Sequence, residues 1–163
     1  MKKTQTGHIV SHTHWDREWR YPIWETRLYL SDFMDELITL LEQGKYPAFL
    51  MDGQVSPILD YLEIRPEKKE TVKKLIKDKK ISIGPWFTLP DEYPVDGEAL
   101  VRNLLKGNRK AKEFGPVFQH GYTSFGWGQT AQLPQIYSGF DITTALIGKR
   151  VNKQRAPHCE FFW

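Results

Sequence analysis

The sequence predicts an α/β fold with a mainly parallel sheet. Residues 48–51 form a continuous apolar run, which is typical of a strand buried on both faces. Segments 24–41 and 97–114 carry apolar residues at helical spacing. Strands that alternate with such helices favour parallel pairing through crossover connections.

The remaining elements follow the same alternation. Gly44 lies where a glycine would cap the helix over 24–41. Pro66 suits the first turn of a helix that continues through a lysine-rich segment. In chain order the predicted strands are 9–10, 48–51, 81–84, 118–122 and 143–147, and the further helices are 56–63, the lysine-rich one and one beginning over 132–137.

Composition excludes several classes of protein. The 163 residues suffice for one domain with a core, and the net charge is only +3. The lysines of 67–80 flank Val72, Leu75 and Ile76, so they are interpreted as a solvated helix face and not as a nucleic-acid site. The single Cys159, a polar N-terminus and no membrane-length apolar run predict a cytoplasmic protein without a membrane partner.

Residues 11–19, with the sequence SHTHWDREW, are the strongest functional signal. If the preceding apolar run continues as a strand, His12, His14 and Asp16 point to one face. Imidazole and carboxylate are ligands that zinc prefers, and the two tryptophans beside them favour a ligand pocket. A metal site at the end of this strand is therefore predicted, and a polar loop with hydrogen-bonded histidines is the alternative.

Other polar segments lie after predicted strands. They are 52–54, 86–92 and 124–132. Because binding groups gather beyond the carboxyl ends of parallel strands, we expect these segments to meet the opening motif. The chain stops inside the apolar run 160–163, which predicts a strand and a fragment of a longer polypeptide.

Five ordered blocks together resemble the N-terminal catalytic domain of glycoside hydrolase family 38, the zinc-dependent α-mannosidases, and are most similar to bacterial members. The blocks are HTHWDREW at 12–19, FLMDGQ at 49–54, GPWFTLPDE at 84–92 with GEALVRNLL at 97–105, AQLPQI at 131–136 and EFFW at 160–163. The resemblance covers nearly the whole chain. It implies that residues 1–163 are the N-terminal part of the catalytic domain, a truncated and incomplete α/β barrel of seven-stranded type.

The resemblance also implies an activity and a site. It implies retaining cleavage of terminal α-mannosides, with a mannoside or mannose-containing oligosaccharide as partner and zinc as cofactor. Zinc would be held by His14 and Asp16, and His12 would support its neighbours. The sugar pocket is predicted to be formed by His14, Asp16, Trp19, Trp86 and Asp91.

One position departs from the family pattern. Counting back from Gln132 places Phe125 where the family has its nucleophilic Asp, and a two-residue shift places Thr123 there instead. Neither alignment supplies a carboxylate. Asp91 and Glu92 follow a strand at the correct end of the sheet, as substitutes for the missing group or as ordinary loop residues.

Three functions are therefore weighed. The first is an α-mannosidase-like hydrolase. Its N-terminal part alone is expected to be inactive, and its full-length form could assemble into oligomers. The second is a non-catalytic, truncated or degenerate relative that binds metal or sugar. The third is a metal-dependent hydrolase of another bond, such as a deacetylase, which needs a further histidine near the site, with His120 as candidate.

Overall fold

The structure is a computed structural model that describes residues 6–123, 126, 128–149, 151–154, 156 and 158–162. These residues form a mixed α/β fold, as predicted. The helices are α1 (Ile23–Glu42), α2 (Ser56–Ile64), a 3₁₀ turn (Pro66–Lys68), α3 (Lys69–Lys77), α4 (Gly97–Lys112) and α5 (Leu133–Ser138). The strands are β1 (Phe49–Leu50), β2 (Ile81–Ser82), β3 (Gly121–Thr123) and β4 (Ala145–Ile147).

The strands pair in parallel, which confirms the predicted direction. β1 pairs with β2, with Phe49 opposite Ile81, and β3 pairs with β4, with Gly121 opposite Ala145. A single parallel bridge between His12 and Leu50 joins the opening motif to β1, and one between Gln54 and Trp86 links the segments that follow β1 and β2. Each pair is short, so the barrel implied by the resemblance stays a prediction.

The predicted strand at 9–10 is wrong. Ile9 is 96% exposed and Val10 is 66% exposed, so neither side chain packs on the core. Without that burial, little offsets the entropy of ordering two residues as a strand. Only the next residues join the sheet, where Leu50 donates its backbone N–H to the Ser11 carbonyl at 3.0 Å. The terminal run 160–163 is likewise irregular where described, and Phe162 is fully exposed.

The helices follow their apolar stripes. α1 buries one face that includes Leu30, Met34 and Leu41, and Gly44 follows it at φ +70°, as predicted for a glycine cap. α3 buries Val72, Leu75 and Ile76, as its stripe predicts. Among the described residues, no helix is both long and apolar enough to cross a membrane.

α4 holds the loop that follows β2 in place. Gly107, in the helix interior, lies so close to this loop that a Cβ atom on it would be 2.2 Å from the Pro85 carbonyl oxygen. Asn103 accepts the backbone N–H groups of Phe87 and Thr88 at 2.9 and 3.1 Å. A second, smaller core forms here from Trp86, Leu100, Leu104, Leu133, Tyr137 and Ile142. The loop 86–92 is therefore fixed from both sides.

Candidate metal site

His14 and Asp16 lie next to each other, with His14 Nε2 3.3 Å from Asp16 Oδ1. Their side chains are 31% and 43% exposed, so a ligand can reach both. Two ligands of a tetrahedral zinc ion, each bound at about 2.0–2.1 Å, stand roughly 3.3 Å apart. The donor types and their separation therefore fit two ligands of such an ion. Within the described residues, no group of three or more His, Cys, Asp or Glu side chains is arranged to hold a metal.

Asp52 lies on the other side of the His14 ring. It is 0% exposed, and its Oδ2 is 3.1 Å from His14 Nδ1. The same oxygen accepts the Trp15 backbone N–H and the Gln54 side-chain N–H, each at 3.1 Å. Burial raises the pKa of the Asp52 carboxyl above its ordinary value, and His14 and the Trp15 N–H oppose that rise. Sequence reasoning placed Asp52 in a turn at the correct sheet edge but gave it no role.

A tight turn aims Asp52 at the ring. Asp52 and Gly53 have φ values of +48° and +67°, in the left-handed region. A Cβ atom on Gly53 would lie 2.7 Å from the Tyr122 ring, so the turn packs directly on β3. The Tyr122 hydroxyl is in turn 3.4 Å from His12 Nδ1. His12 therefore lies beside the site and contacts Tyr122, whereas His14 contacts Asp16 and Asp52.

Gln54 joins the opening motif to the loop 86–92. Its side-chain N–H group donates to the Trp15 carbonyl at 3.0 Å as well as to Asp52. Its carbonyl oxygen accepts the Leu89 backbone N–H at 3.1 Å. These segments therefore meet at one sheet edge, as the parallel arrangement predicts.

Arg17 anchors the motif to α2. Its Nε and Nη2 atoms donate to the two carboxylate oxygens of Asp60 at 2.6 and 2.9 Å. Asp60 is 4% exposed, and its hydrogen bond raises the pKa of Arg17 above the ordinary value. The forked geometry is one that only arginine supplies.

Replacing Arg17 by methionine is expected to lower the free energy of unfolding by about 1–3 kcal/mol, because the buried Asp60 carboxylate loses its partner. Half of the Arg17 side chain is exposed, so water keeps the cost below that of a fully buried pair. Denaturant unfolding measures the change. Arg102→Met is the matched control, since Arg102 pairs with Glu98 on an exposed helix face. Equal stability of the parent and the Arg17 variant would contradict the anchoring role.

The two tryptophans of the predicted sugar pocket have different environments. Trp19 is 70% exposed, and the Arg20 guanidinium lies 4.7 Å from its ring centroid. Trp86 is 0% exposed, donates its indole N–H to the Tyr122 carbonyl at 3.1 Å and packs against Tyr137. Contrary to the expectation for the pocket, Trp86 is a core residue here, because α4 and α5 cover it.

Asp91 and Glu92 both face Gly126. A Cβ atom on Gly126 would lie 3.2 Å from Asp91 Oδ1 and 3.4 Å from Glu92 Oε2. Glu92 is 1% exposed, and among the described residues neither of its carboxylate oxygens has a hydrogen-bond partner. Burial, reinforced by the Asp91 charge, raises the pKa of Glu92 to about 7. Phe125 lies outside the described residues. Its immediate neighbour Gly126 is flanked by the carboxyl groups of Asp91 and Glu92.

His120 does not join the group around His14. Its Nδ1 is 2.6 Å from Thr144 Oγ1, and its ring lies against Phe118. The further histidine that a deacetylase-like site needs is thus hydrogen-bonded elsewhere.

Comparison with known proteins gives the family. Residues 4–163 match the model of the Glycosyl hydrolases family 38 N-terminal domain. The chain is 42% identical over 153 residues to the protein named "Putative mannosylglycerate hydrolase" of Halalkalibacterium halodurans, covering 93% of this chain and 17% of that protein. It is 29% identical over 166 residues to Alpha-mannosidase 2C1 of Mus musculus, covering 97% of this chain and 16% of that protein.

Solved structures agree. The crystal structure of an alpha-mannosidase from Enterococcus faecalis V583 matches 83% of this chain and 16% of its own, with a TM-score of 0.81 and 38% identity. A second structure, of a glycosyl hydrolase family 38 protein from Enterococcus faecalis, matches 85% of this chain and 16% of its own, with a TM-score of 0.75 and 35% identity. The chain thus spans about one sixth of the length of these relatives. By sequence and by fold, it belongs to glycosyl hydrolase family 38, in the N-terminal domain of that family.

Proposed function

We propose that this chain is the zinc-binding part of a catalytic domain that hydrolyses α-mannosides. The observation that carries the proposal is the approach of His14 Nε2 to Asp16 Oδ1 at 3.3 Å, on the accessible side of a buried carboxylate. The names of the relatives, alpha-mannosidase and mannosylglycerate hydrolase, support a substrate with α-linked mannose. Three further predictions go with this proposal. The chain is part of an incomplete barrel, the protein is cytoplasmic, and its full-length form is an oligomer.

Each accessible residue has a distinct part. His14 and Asp16 would hold zinc, which when bound acts as a Lewis acid toward sugar hydroxyls. The exposed indole of Trp19 offers an apolar face on which a sugar ring can stack. His12, close to the Tyr122 hydroxyl, supports the sheet edge on which the ligands stand.

The second carboxyl group is the open part of the chemistry. Retaining hydrolysis uses two carboxyl groups about 5–5.5 Å apart, one as nucleophile and one as acid. Phe125 cannot serve as either. Asp91 is half-buried and Glu92 is fully buried, so Asp91 is the better placed of the two to meet a substrate. A raised pKa suits Glu92 to proton donation, but its burial separates it from a sugar.

Phe125 therefore favours a second candidate function. A relative that keeps the zinc ligands and lacks a nucleophile would bind metal or a mannoside without turnover. The two candidates differ in a single measurable property, which is hydrolysis by a zinc-loaded protein.

Replacing His14 by alanine is expected to weaken zinc binding at least tenfold, because an imidazole ligand is lost. Removing a group that only supports a metal ligand already lowers metal affinity roughly 10–100-fold, and removing the ligand itself costs no less. Zinc affinity is measured by isothermal titration calorimetry. His8→Ala is the control, because His8 is an exposed histidine outside the motif. Zinc affinity that is equal in the parent and the His14 variant would overturn the metal site.

An aryl α-mannoside assay with added zinc separates the two candidate functions. It is run on this chain and on the longest polypeptide that contains it. Hydrolysis that His14→Ala abolishes supports the enzyme. Zinc binding with no hydrolysis by either polypeptide supports the non-catalytic relative.

A further inference from the structure

We propose that Asp52 is a positioning residue that fixes the His14 ring with its proton on Nδ1, so that the Nε2 lone pair faces Asp16. The part of this inference that concerns a metal rests on the proposed function. The part that concerns the ring does not, because it follows from the contacts of His14 and Asp52.

Two carboxylates compete for one proton of the ring. A neutral imidazole carries an N–H on only one of its nitrogens, and the other nitrogen is an acceptor. His14 Nδ1 lies 3.1 Å from Asp52 Oδ2, and His14 Nε2 lies 3.3 Å from Asp16 Oδ1. Whichever carboxylate takes the N–H decides which nitrogen keeps a lone pair.

Burial decides the competition in favour of Asp52. Its carboxylate is 0% exposed, whereas the Asp16 side chain is 43% exposed and its oxygens are open to water. A buried acceptor that loses its donor costs free energy, and an exposed acceptor replaces the donor with water. The arrangement that leaves the N–H on Nδ1 gives the buried Asp52 carboxylate a third donor beside the Trp15 N–H and the Gln54 amide, in a place where water cannot replace it.

The position of Asp52 is itself fixed. The Trp15 backbone N–H and the Gln54 side chain donate to the same oxygen that faces His14. The turn behind it is held by Gly53, on which the Tyr122 ring packs too closely for a side chain. Asp52 therefore offers the ring one direction for its proton. A carboxylate behind a histidine in this way orients the histidine for metal coordination.

The test is nitrogen-15 NMR of the histidine rings in metal-free protein, at about pH 9, where an ordinary imidazole is neutral. Two-bond proton–nitrogen correlations distinguish the two tautomers. The parent protein is expected to show His14 protonated on Nδ1, and Asp16→Asn is expected to leave that pattern unchanged. Asp52→Asn is expected to shift the ring toward the Nε2–H form and to weaken zinc binding about 10–100-fold.

The parent measurement needs no variant to fold, so it tests the inference alone. A parent His14 protonated on Nε2 would overturn the inference, as would a tautomer that responds to Asp16→Asn and not to Asp52→Asn. If the tautomer is as expected and the parent binds no zinc, the positioning role of Asp52 stands and the metal-dependent function fails.

Discussion

Replacing Gly107 by alanine is expected to destabilise the protein by at least about 3 kcal/mol, which puts it among the severe single substitutions. A Cβ atom at this position would lie 2.2 Å from the Pro85 oxygen and 2.4 Å from the Phe87 nitrogen. Both are backbone atoms, so no side-chain rotation relieves the overlap. α4 would have to move away from the loop and separate Leu100 and Leu104 from Trp86.

Gly97→Ala is the matched control. Gly97 begins the same helix, and a Cβ atom there has no neighbour within 4 Å. Because alanine is the better helix former by about 1 kcal/mol or less, this variant is expected to be as stable as the parent or slightly more so. If Gly107 is a packing glycine, denaturant unfolding shows a large loss of stability for Gly107→Ala and no loss for Gly97→Ala. A small loss at Gly107 would mean that α4 can shift without cost.

Replacing Glu92 by glutamine is expected to remove a loss of stability that the parent shows as pH rises. The pKa of Glu92 is raised from 4.5 to about 7 in the folded state, so between these values the folded protein binds more protons than the unfolded chain. The contribution of Glu92 is therefore full below its unfolded pKa and is lost as pH rises through about 7. The loss is on the order of 3 kcal/mol.

The measurement is the free energy of unfolding from about pH 4 to pH 8.5, where only the slope is compared. A buried glutamine amide brings its own unsatisfied groups, but that cost is the same at every pH. Glu67→Gln, at an exposed glutamate, is expected to keep the slope of the parent. If the Glu92 variant also keeps that slope, the carboxyl is charged in the folded protein and must have a partner.

Local patterns predicted the helices well and the strands less well. α1 and α3 carry their apolar stripes in the sequence itself, so their buried faces follow from spacing. The prediction of a strand at 9–10 failed because its two apolar residues have no surface to pack on in the folded chain. Whether such a surface exists depends on tertiary structure, which the local sequence does not show. Gly107 shows the same limit. A glycine inside a helix looks unfavourable until the loop around Pro85 is placed against it.

The site divides in a similar way. Spacing predicted a metal site at His12, His14 and Asp16, and the resemblance to the family narrowed the predicted ligands to His14 and Asp16, whose side chains the structure brings within 3.3 Å of each other. Segment 52–54 was expected to meet the opening motif, but the role of Asp52 was missed because the sequence does not show that its carboxylate is buried against the His14 ring and the Trp15 amide. Trp86 was expected to face a sugar because a tryptophan beside polar residues fits both a pocket and a core. Only the packing of α4 and α5 distinguishes the two environments.

The hydrogen bonds of Gln54 couple the surroundings of His14 to the folding of the loop around Leu89. Its one side chain bonds at once to the Trp15 carbonyl, to Asp52 and to the Leu89 N–H, which come from three stretches of chain. The surroundings of His14 are therefore complete only when the loop around Leu89 has docked. A zinc ion held by His14, as proposed above, would then be released as the second core opens, so its release would report the cooperativity of the domain.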